Sequence, residues 1–524
     1  MSTDPRFSIV TPVYDPPADV FEDMIDSVRA QTFVDWELIL VDDCSPSEHV
    51  VRIARDASAA DPRIRLIERS ENGHIVKASN DGIAVARGEF IALLDHDDLL
   101  VADALETMDA AIRANPAVDY LYSDEDKIGP DGEFYDHFMK PDWSPERLRG
   151  QMYTSHLSVL RTSLVREVGG FHDGFGGSQD HDLVLRVTER ARQVVHVPEV
   201  LYHWRAVAGS TAADPDAKPY AWYAGRDAVQ AHLDRSRIAG KVDLGPVPGT
   251  YTIERTGGPD GMVSVVIPTR GGAGIVWGER RVFVVEAVRS LLAHAGDVPL
   301  EIVVVYDTPT PPEVLAELRT LCANGPRLVL REYTKPFSYS EKCNVGVLAA
   351  SGRWLLLLND DIEIITPDFV RKLVAPLLEE GVGMTGARLL FSDGTIQHAG
   401  VVYRHGDPWH AYYGDLDSEY GIASALLINR ECSGLTGACV AMARDLYLEV
   451  GGFTELLPAN FNDVDMSLKV AATGRRLVWI AGARAYHFES KTRIPVVHAW
   501  EHQLIKDRWA SGDRDRYLPA EGPG

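Results

Sequence analysis

Three carboxylates stand together in Asp95-His96-Asp97-Asp98, directly after the apolar run 90–94. At the end of a strand they repel one another. A hard divalent ion such as Mg²⁺ or Mn²⁺ relieves that repulsion, because such ions favour oxygen ligands and bridge carboxylates to phosphates. A solvated acidic turn or a helix N-cap accounts for the same residues equally well. The related run Asn359-Asp360-Asp361, after 354–358, carries less charge, so an ion there would be held more weakly or depend on Asp361. A second carboxylate set, Asp180 and Asp182, opens an apolar helical stretch at 183–187, and Asp463 and Asp465 repeat it. A carboxylate at a helix N-terminus is stabilised as the anion and can serve as general base towards a hydroxyl, or it is simply a cap. His203 and His487, each in a Tyr-His pair after a strand-like stretch, are candidate third metal ligands or packed side chains. Arg205, Lys491 and Arg493 would face a diphosphate or solvent. Trp143, Tyr153, Trp204, Trp222, Trp409, Tyr412 and Tyr413 would stack on a sugar or base, or pack as core and rim.

Two successive sets of elements must position these groups, because the chain repeats itself. F-S-I-V-T-P-V-Y (7–14) is echoed by V-S-V-V-I-P-T-R (263–270), and E-L-I-L-V-D-D (37–43) by E-I-V-V-V-Y-D (301–307). The stretch 80–97 is echoed by 344–361, Gly169-Gly170-Phe171 by Gly451-Gly452-Phe453, and Tyr202-His203 by Tyr486-His487. Each unit is about 250 residues, a domain rather than a solenoid repeat. The Gly-rich stretch 256–261 is the expected linker. This gives domains at 1–257 and 258–493, followed by a tail at 494–524 with a helical pattern over 496–509 that would cap the second domain or meet a partner. Short β-branched runs alternate with helical patterns, as in 8–11, 20–31 and 37–41, which predicts βαβ units and a mainly parallel sheet of the nucleotide-binding α/β class. Ligands of open sheets bind beyond the carboxyl ends of strands, where 12–15, Asp42-Asp43 and 95–98 fall.

Composition narrows the function classes. The chain has 524 residues and a formal charge of −25, which argues against broad contact with nucleic acid or an anionic membrane. Its five cysteines form no CxxC pair, so neither a disulfide framework nor a cysteine zinc site is expected. The N-terminus does not read as a signal peptide, and apolar runs are strand-length, far short of the roughly 20 residues of a membrane helix. The expected setting is cytosolic, either soluble or peripheral. P-loop, G-x-S-x-G, H-E-x-x-H and G-x-G-x-x-G patterns are missing where their chemistries would need them.

In order, S-I-V-T-P-V-Y-D (8–15), L-L-D-H-D-D (93–98), Y-S-D-E-D-K (122–127), G-S-Q-D-H-D-L (177–183) and L-Y-H-W-R (201–205) resemble the inverting glycosyltransferases of family 2, with the nucleotide-sugar-binding A-type (GT-A) fold. In the second half V-S-V-V-I-P-T (263–269), L-L-N-D-D-I-E (357–363), I-Q-H-A-G-V-V (396–402), F-N-D-V-D-M (461–466) and A-Y-H-F-E-S-K-T-R (485–493) carry the same resemblance. The tandem arrangement looks like bacterial O-antigen or cell-wall glycan transferases, many of them rhamnosyltransferases. The resemblance implies a donor sugar linked to UDP or dTDP, Mn²⁺ or Mg²⁺ as cofactor, and a glycan or lipid-linked glycan as acceptor. It also implies a cytoplasmic location, with peripheral association at the inner membrane face as a further expectation. By position, Tyr14 and Asp43 would contact the base and ribose, and Asp95 and Asp97 would form the D-x-D motif for metal and diphosphate. Asp180 would be the base, and His203 a further metal ligand. Asp307, Asn359, Asp361, Asp463 and His487 take the matching roles in the second half. That half departs at Arg270, at the insertion 271–279, at Tyr306 and at Asn359, which bears on donor identity. The leading expectation is a bifunctional transferase. The alternatives are one catalytic half joined to a glycan-binding or scaffolding half, or a nucleotidyltransferase using the same carboxylate and metal logic.

Overall fold

The computed structural model describes residues 4–206, 219–488, 497–509 and 515–518. Strands of the first half are β1 (Phe7–Val13), β2 (Trp36–Asp42), β3 (Ile64–Glu68), β4 (Phe90–Leu93) and β5 (Leu99–Leu100). They are followed by β6 (Tyr120–Ile128), β7 (Phe134–Phe138), β8 (Ser158–Arg161) and β9 (Val194–Arg205). They form one sheet in the order β3-β2-β1-β4-β8-β6-β9-β5, with β7 on β6. Its β3-β2-β1-β4 block is parallel, β8 runs antiparallel between β4 and β6, and β6 and β9 are parallel. The second half repeats this order with Arg327–Tyr333, Leu300–Asp307, Val263–Thr269, Trp354–Leu358, Cys439–Ala443, Val382–Leu390, Arg476–His487 and Ile362–Ile364. No strand or helix occupies 256–262 between them.

The reason lies in burial on both sheet faces. β1 and β2 are buried along nearly their whole length, so they read as continuous apolar runs without alternation. The helix Ala18–Arg29 covers one face with Phe21, Met24, Ile25 and Val28, a helical stripe one turn wide. Several repeated motifs are scaffold. A side chain at Gly82 would meet Val10 at 2.6 Å, and one at Gly346 would meet Val266 at 2.3 Å, so helix-to-strand contact requires glycine in both halves. Asn80 clasps the backbone N–H and carbonyl of Phe171, and Asn344 clasps Phe453 in the same way. Ser8 donates to the buried Glu37 at 2.7 Å, and Ser264 to the buried Glu301 at 2.6 Å.

The halves meet through buried charge. Glu146 accepts from Arg255 at 2.7 and 2.9 Å and from Arg149 at 2.9 Å, and Arg149 and Arg255 also reach Glu379 of the second half. Glu431 accepts from Ser144 and Arg476 and from the Glu146 backbone N–H. Burial alone would raise the Glu146 carboxyl, but Arg255 and Arg149 outweigh it and hold it well below the usual range. Glu146→Ala is therefore expected to cost about 3–5 kcal/mol, because it strips buried guanidiniums of a carboxylate. Guanidinium unfolding of the whole chain measures this, and a cost under about 1 kcal/mol would mean the network contributes little.

The tail pattern forms the helix Ala499–Arg508, which packs Ile505 against Leu457 and Val464 of the second half. Trp509 donates to Asp465 at 2.9 Å, and Arg516 reaches back to Asp142 of the first half at 3.2 Å.

Candidate functional site

A cleft of about 1600 Å³ lies at the carboxyl ends of the first half's parallel strands. Tyr14 follows β1, Asp43 follows β2, Asp95 and Asp97 follow β4, and Asp180 opens the helix Gln179–Thr188; all five line this one cleft. Asp43 is fixed there by Arg69 at 3.1 Å and by the Gly73 N–H at 2.9 Å, whereas Tyr14 stands exposed at the mouth. Asp180 is half-buried and its Oδ1 accepts its neighbour's N–H, that of His181, at 2.8 Å. Burial pushes its carboxyl above the ordinary aspartate range, with the His181 N–H and the His156 charge pulling the other way. Asp182, two residues on, points elsewhere: it is fully buried against Arg186 at 2.6 and 2.9 Å. Of the two carboxylates in this motif, one faces the cleft and the other holds the helix.

The side chains that could hold a metal ion are a different subset from the one the motif order implied. Asp95, Asp98 and His156 offer ligand atoms that all lie within 4.8 Å of one another. Asp98 is buried, accepts from Tyr202 Oη at 2.5 Å and from the Arg205 N–H at 2.7 Å, and its carboxyl is pushed well up by burial and by Asp97 and Asp95. His156 Nδ1 lies 3.2 Å from Glu125, which leaves Nε2 as the nitrogen for a ligand, the carboxylate–histidine support common behind bound metals. Burial lowers the His156 imidazolium, yet Glu125, Asp98 and Asp95 together raise it to about 9. Glu125 itself is held at about 2 against burial by the buried Lys140 ammonium and by His156. Two hard oxygen donors and an oriented imidazole crowded within 4.8 Å of one another fit a divalent ion. His203 is supported in the same way, with Nδ1 2.5 Å from Asp126, but it is not part of that cluster and its ring stacks on Phe134. Arg205 donates to the Asp97 carbonyl at 2.8 Å and reaches Asp23, while Lys491 and Arg493 lie outside the described residues. Among the aromatic candidates, Trp204 and Trp222 line the cleft and Tyr153 is core.

The second half gathers its counterparts differently. His487 Nε2 lies 3.2 Å from Asp361 and 3.3 Å from Asn359, with Nδ1 2.6 Å from Gln397. Asp463 accepts from the Gly437 and Val464 N–H groups at 3.1 and 2.9 Å, next to the Ala438 carbonyl that receives the Asn359 N–H. Asp465 is the structural partner, bound by Thr454, Lys469 and Trp509. Asp307 is neutralised by the buried Lys342 at 2.8 Å, with Arg270 at 3.5 Å. The insertion forms a hairpin of Ala273–Val276 with Glu279–Val282, whose Trp277 packs edge-on to Tyr486 and Phe488.

Strand register explains what is lost there. Ala92 pairs with Val159 as Leu356 pairs with Ala441, so the position of His156, three residues earlier, is Ala438. Leu99 pairs with His203 as Ile362 pairs with His487, so the acidic turn is one residue shorter there, and Asp361 stands before Ile362 where Asp98 stands before Leu99. Asp98 was read from sequence only as one of the three clustered carboxylates, and Glu125, Lys140, His156 and Lys342 were not singled out. Glu125 sits in a motif that was legible, but His156 belongs to no repeated pattern.

A mainly parallel α/β sheet with Tyr14, Asp43, Asp95, Asp97 and Asp180 gathered in one cleft beyond its strand ends has the form of an open-sheet, ligand-binding class of fold. Residues 8–169 match the family model described as Glycosyl transferase family 2, and residues 259–512 the one described as Glycosyltransferase like family 2. The chain belongs to glycosyltransferase family 2, with one GT-A-type domain in each half. It is 40% identical over 525 residues to the uncharacterized protein y4gI of Sinorhizobium fredii (strain NBRC 101917 / NGR234), covering 97% of this chain and 56% of that protein. It is 34% identical over 526 residues to the O-antigen biosynthesis protein RfbC of Myxococcus xanthus, covering 99% of this chain and 40% of that protein. The chain thus spans about half the length of these relatives or less. The structure of S. aureus TarS 1-349 in complex with UDP-GlcNAc is similar at 19% identity and TM-score 0.36, over 44% of this chain and 66% of that one. Among the described residues no helix is long and apolar enough to cross a membrane.

Proposed function

We propose that the chain is an inverting, metal-dependent glycosyltransferase that moves sugars from UDP- or dTDP-linked donors onto a growing bacterial surface polysaccharide. Rhamnose is among the candidate sugars. The units are 1–257 and 258–493, with 494–524 as a tail, working in the cytoplasm against the inner membrane face. The observation that carries this reading is the convergence of Tyr14, Asp43, Asp95, Asp97 and Asp180 on one cleft. The relative named for O-antigen biosynthesis supports the polysaccharide context.

In this reading Tyr14 and Asp43 receive the base and ribose. Asp95, Asp98 and His156 would hold the divalent ion, which supplies charge neutralisation for the departing nucleoside diphosphate. Asp180 takes the proton of the acceptor hydroxyl as its oxygen attacks the anomeric carbon, the bond to the diphosphate breaks, and one displacement inverts configuration. No glycosyl-enzyme nucleophile is required. The grouping of Asn359, Asp361 and His487 supports a second site, and the Lys342–Asp307 pair supports a different donor for it. Ala438 in the place of His156 favours the alternative, in which the second half binds or scaffolds glycan.

Product analysis tests the reaction class. Incubation with nucleotide sugars and Mn²⁺ is expected to release nucleoside diphosphate and give a product of inverted anomeric configuration by NMR. Release of pyrophosphate would mean nucleotidyl transfer instead.

A further inference from the structure

The first half's cleft is completed by the second half. Ile422 and Ala423, between the strands Asp407–His410 and Arg430–Glu431, line it together with the first-half residues. A second groove, of about 750 Å³, starts at the same Ile422 and runs back along Tyr420, Glu419, Ser418, Leu416 and Asp415. The two cavities therefore share Ile422 as a wall at the junction of the halves. The loop that forms the groove is anchored at both flanks by buried guanidiniums. Arg147 of the first half, 2% exposed, donates to the Ala423 carbonyl at 3.0 Å. Arg388 donates to the Asp417 carbonyl at 2.8 Å and to that of Leu426 at 3.1 Å. The Ile422 N–H closes onto the Tyr412 hydroxyl at 3.1 Å.

The lining has the chemistry of a saccharide site. Tyr420 and Leu416 stand 56% and 57% exposed at the groove, apolar surfaces of the kind that cover the C–H faces of a pyranose. Asp415, Ser418 and Glu419 supply oxygens that accept from sugar hydroxyls. The same carboxylates, in a chain of net charge −25, repel an anionic lipid headgroup. On the first-half side Tyr220, Trp222 and Tyr223 line the cleft that shares Ile422 with the groove.

We propose that the groove along 415–422 of the second half is an acceptor subsite for the first half's reaction, holding the glycan chain behind the residue being extended. This rests on the reading of the first cleft as a glycosyl-transfer site. It makes the second half a specificity determinant for its neighbour, whether or not it also catalyses. Arg147 is a positioning residue, since it acts through the Ala423 carbonyl.

The test uses the full chain on a printed array of bacterial surface oligosaccharides, alongside calorimetric titrations of UDP and of dTDP in the presence of Mn²⁺. Tyr420→Ala and Leu416→Ala remove exposed side chains, so folding is not at stake. Each is expected to lower glycan retention about tenfold or more, while UDP affinity stays at the wild-type value. Leu456→Ala, an exposed apolar change remote from the groove in sequence, controls for general surface effects. Retention unchanged in both groove variants, or no glycan retained by the wild type, overturns the proposal. Failure of the wild type to bind either UDP or dTDP strikes at the reading of the cleft instead, and is told apart from failure of the subsite by the array.

Discussion

Asp180→Asn is expected to lower kcat for the first-half transfer by about 10³-fold, within the roughly 10²–10⁴-fold range of a general base, with donor KM little changed. Asparagine preserves the shape and can still accept the His181 N–H through Oδ1, but it cannot take up the acceptor proton. The pH profile gives an independent reading. The base works only when ionised, and burial raises its pKa, so kcat/KM should fall on acidification at a pH above that of an ordinary aspartate. Asp463→Asn separates the two functional readings. Both of its oxygens accept backbone N–H groups, from Gly437 and Val464, so it is more committed to structure than Asp180. Loss of a different product linkage in each variant means two transferases in one chain. An unchanged product set in Asp463→Asn means that the second half binds or scaffolds.

His156→Ala is expected to weaken Mn²⁺ binding and reduce first-half transfer by about 10³-fold, the scale of several kcal/mol that a metal contributes to a departing diphosphate. Glu125→Gln, which touches His156 and not the proposed ion, should weaken Mn²⁺ by about 10–100-fold, and supply of excess Mn²⁺ should recover part of its activity. His203→Ala is the decisive comparison, because the motif order assigns it a ligand role and its Nδ1 contact with Asp126 parallels that of His156 with Glu125. Manganese titration followed by electron paramagnetic resonance reads all three variants. Binding lost in His203→Ala and kept in His156→Ala would overturn the assignment of Asp95, Asp98 and His156.

The repeat, the α/β class and the cleft-lining residues were legible from sequence, because Tyr14, Asp43, Asp95 and Asp97 follow short apolar strands, whose ends carry the ligands in open sheets, and Asp180 opens a helical run. Much of the repeat proved to be scaffold, as the Asn80 and Asn344 clasps and the Ser8–Glu37 and Ser264–Glu301 pairs show. Motif recurrence alone does not distinguish a helix-holding Asp182 from a cleft-facing Asp180. Burial does, because a carboxylate without access to solvent requires a cation such as Arg186.

Sequence by itself determined the family, the duplication and the acidic strand ends, since these depend on local patterns of two to eight residues that fold the same way wherever they occur. Only tertiary structure decided that His156 joins Asp95 and Asp98, that Lys342 neutralises Asp307, and that Ile422 closes the first half's cleft. The physical reason is separation along the chain. His156 lies about sixty residues from the carboxylates it meets and Ile422 comes from the other half, and such contacts are set by strand order and by the buried arginine and glutamate network between the halves, neither of which leaves a local pattern.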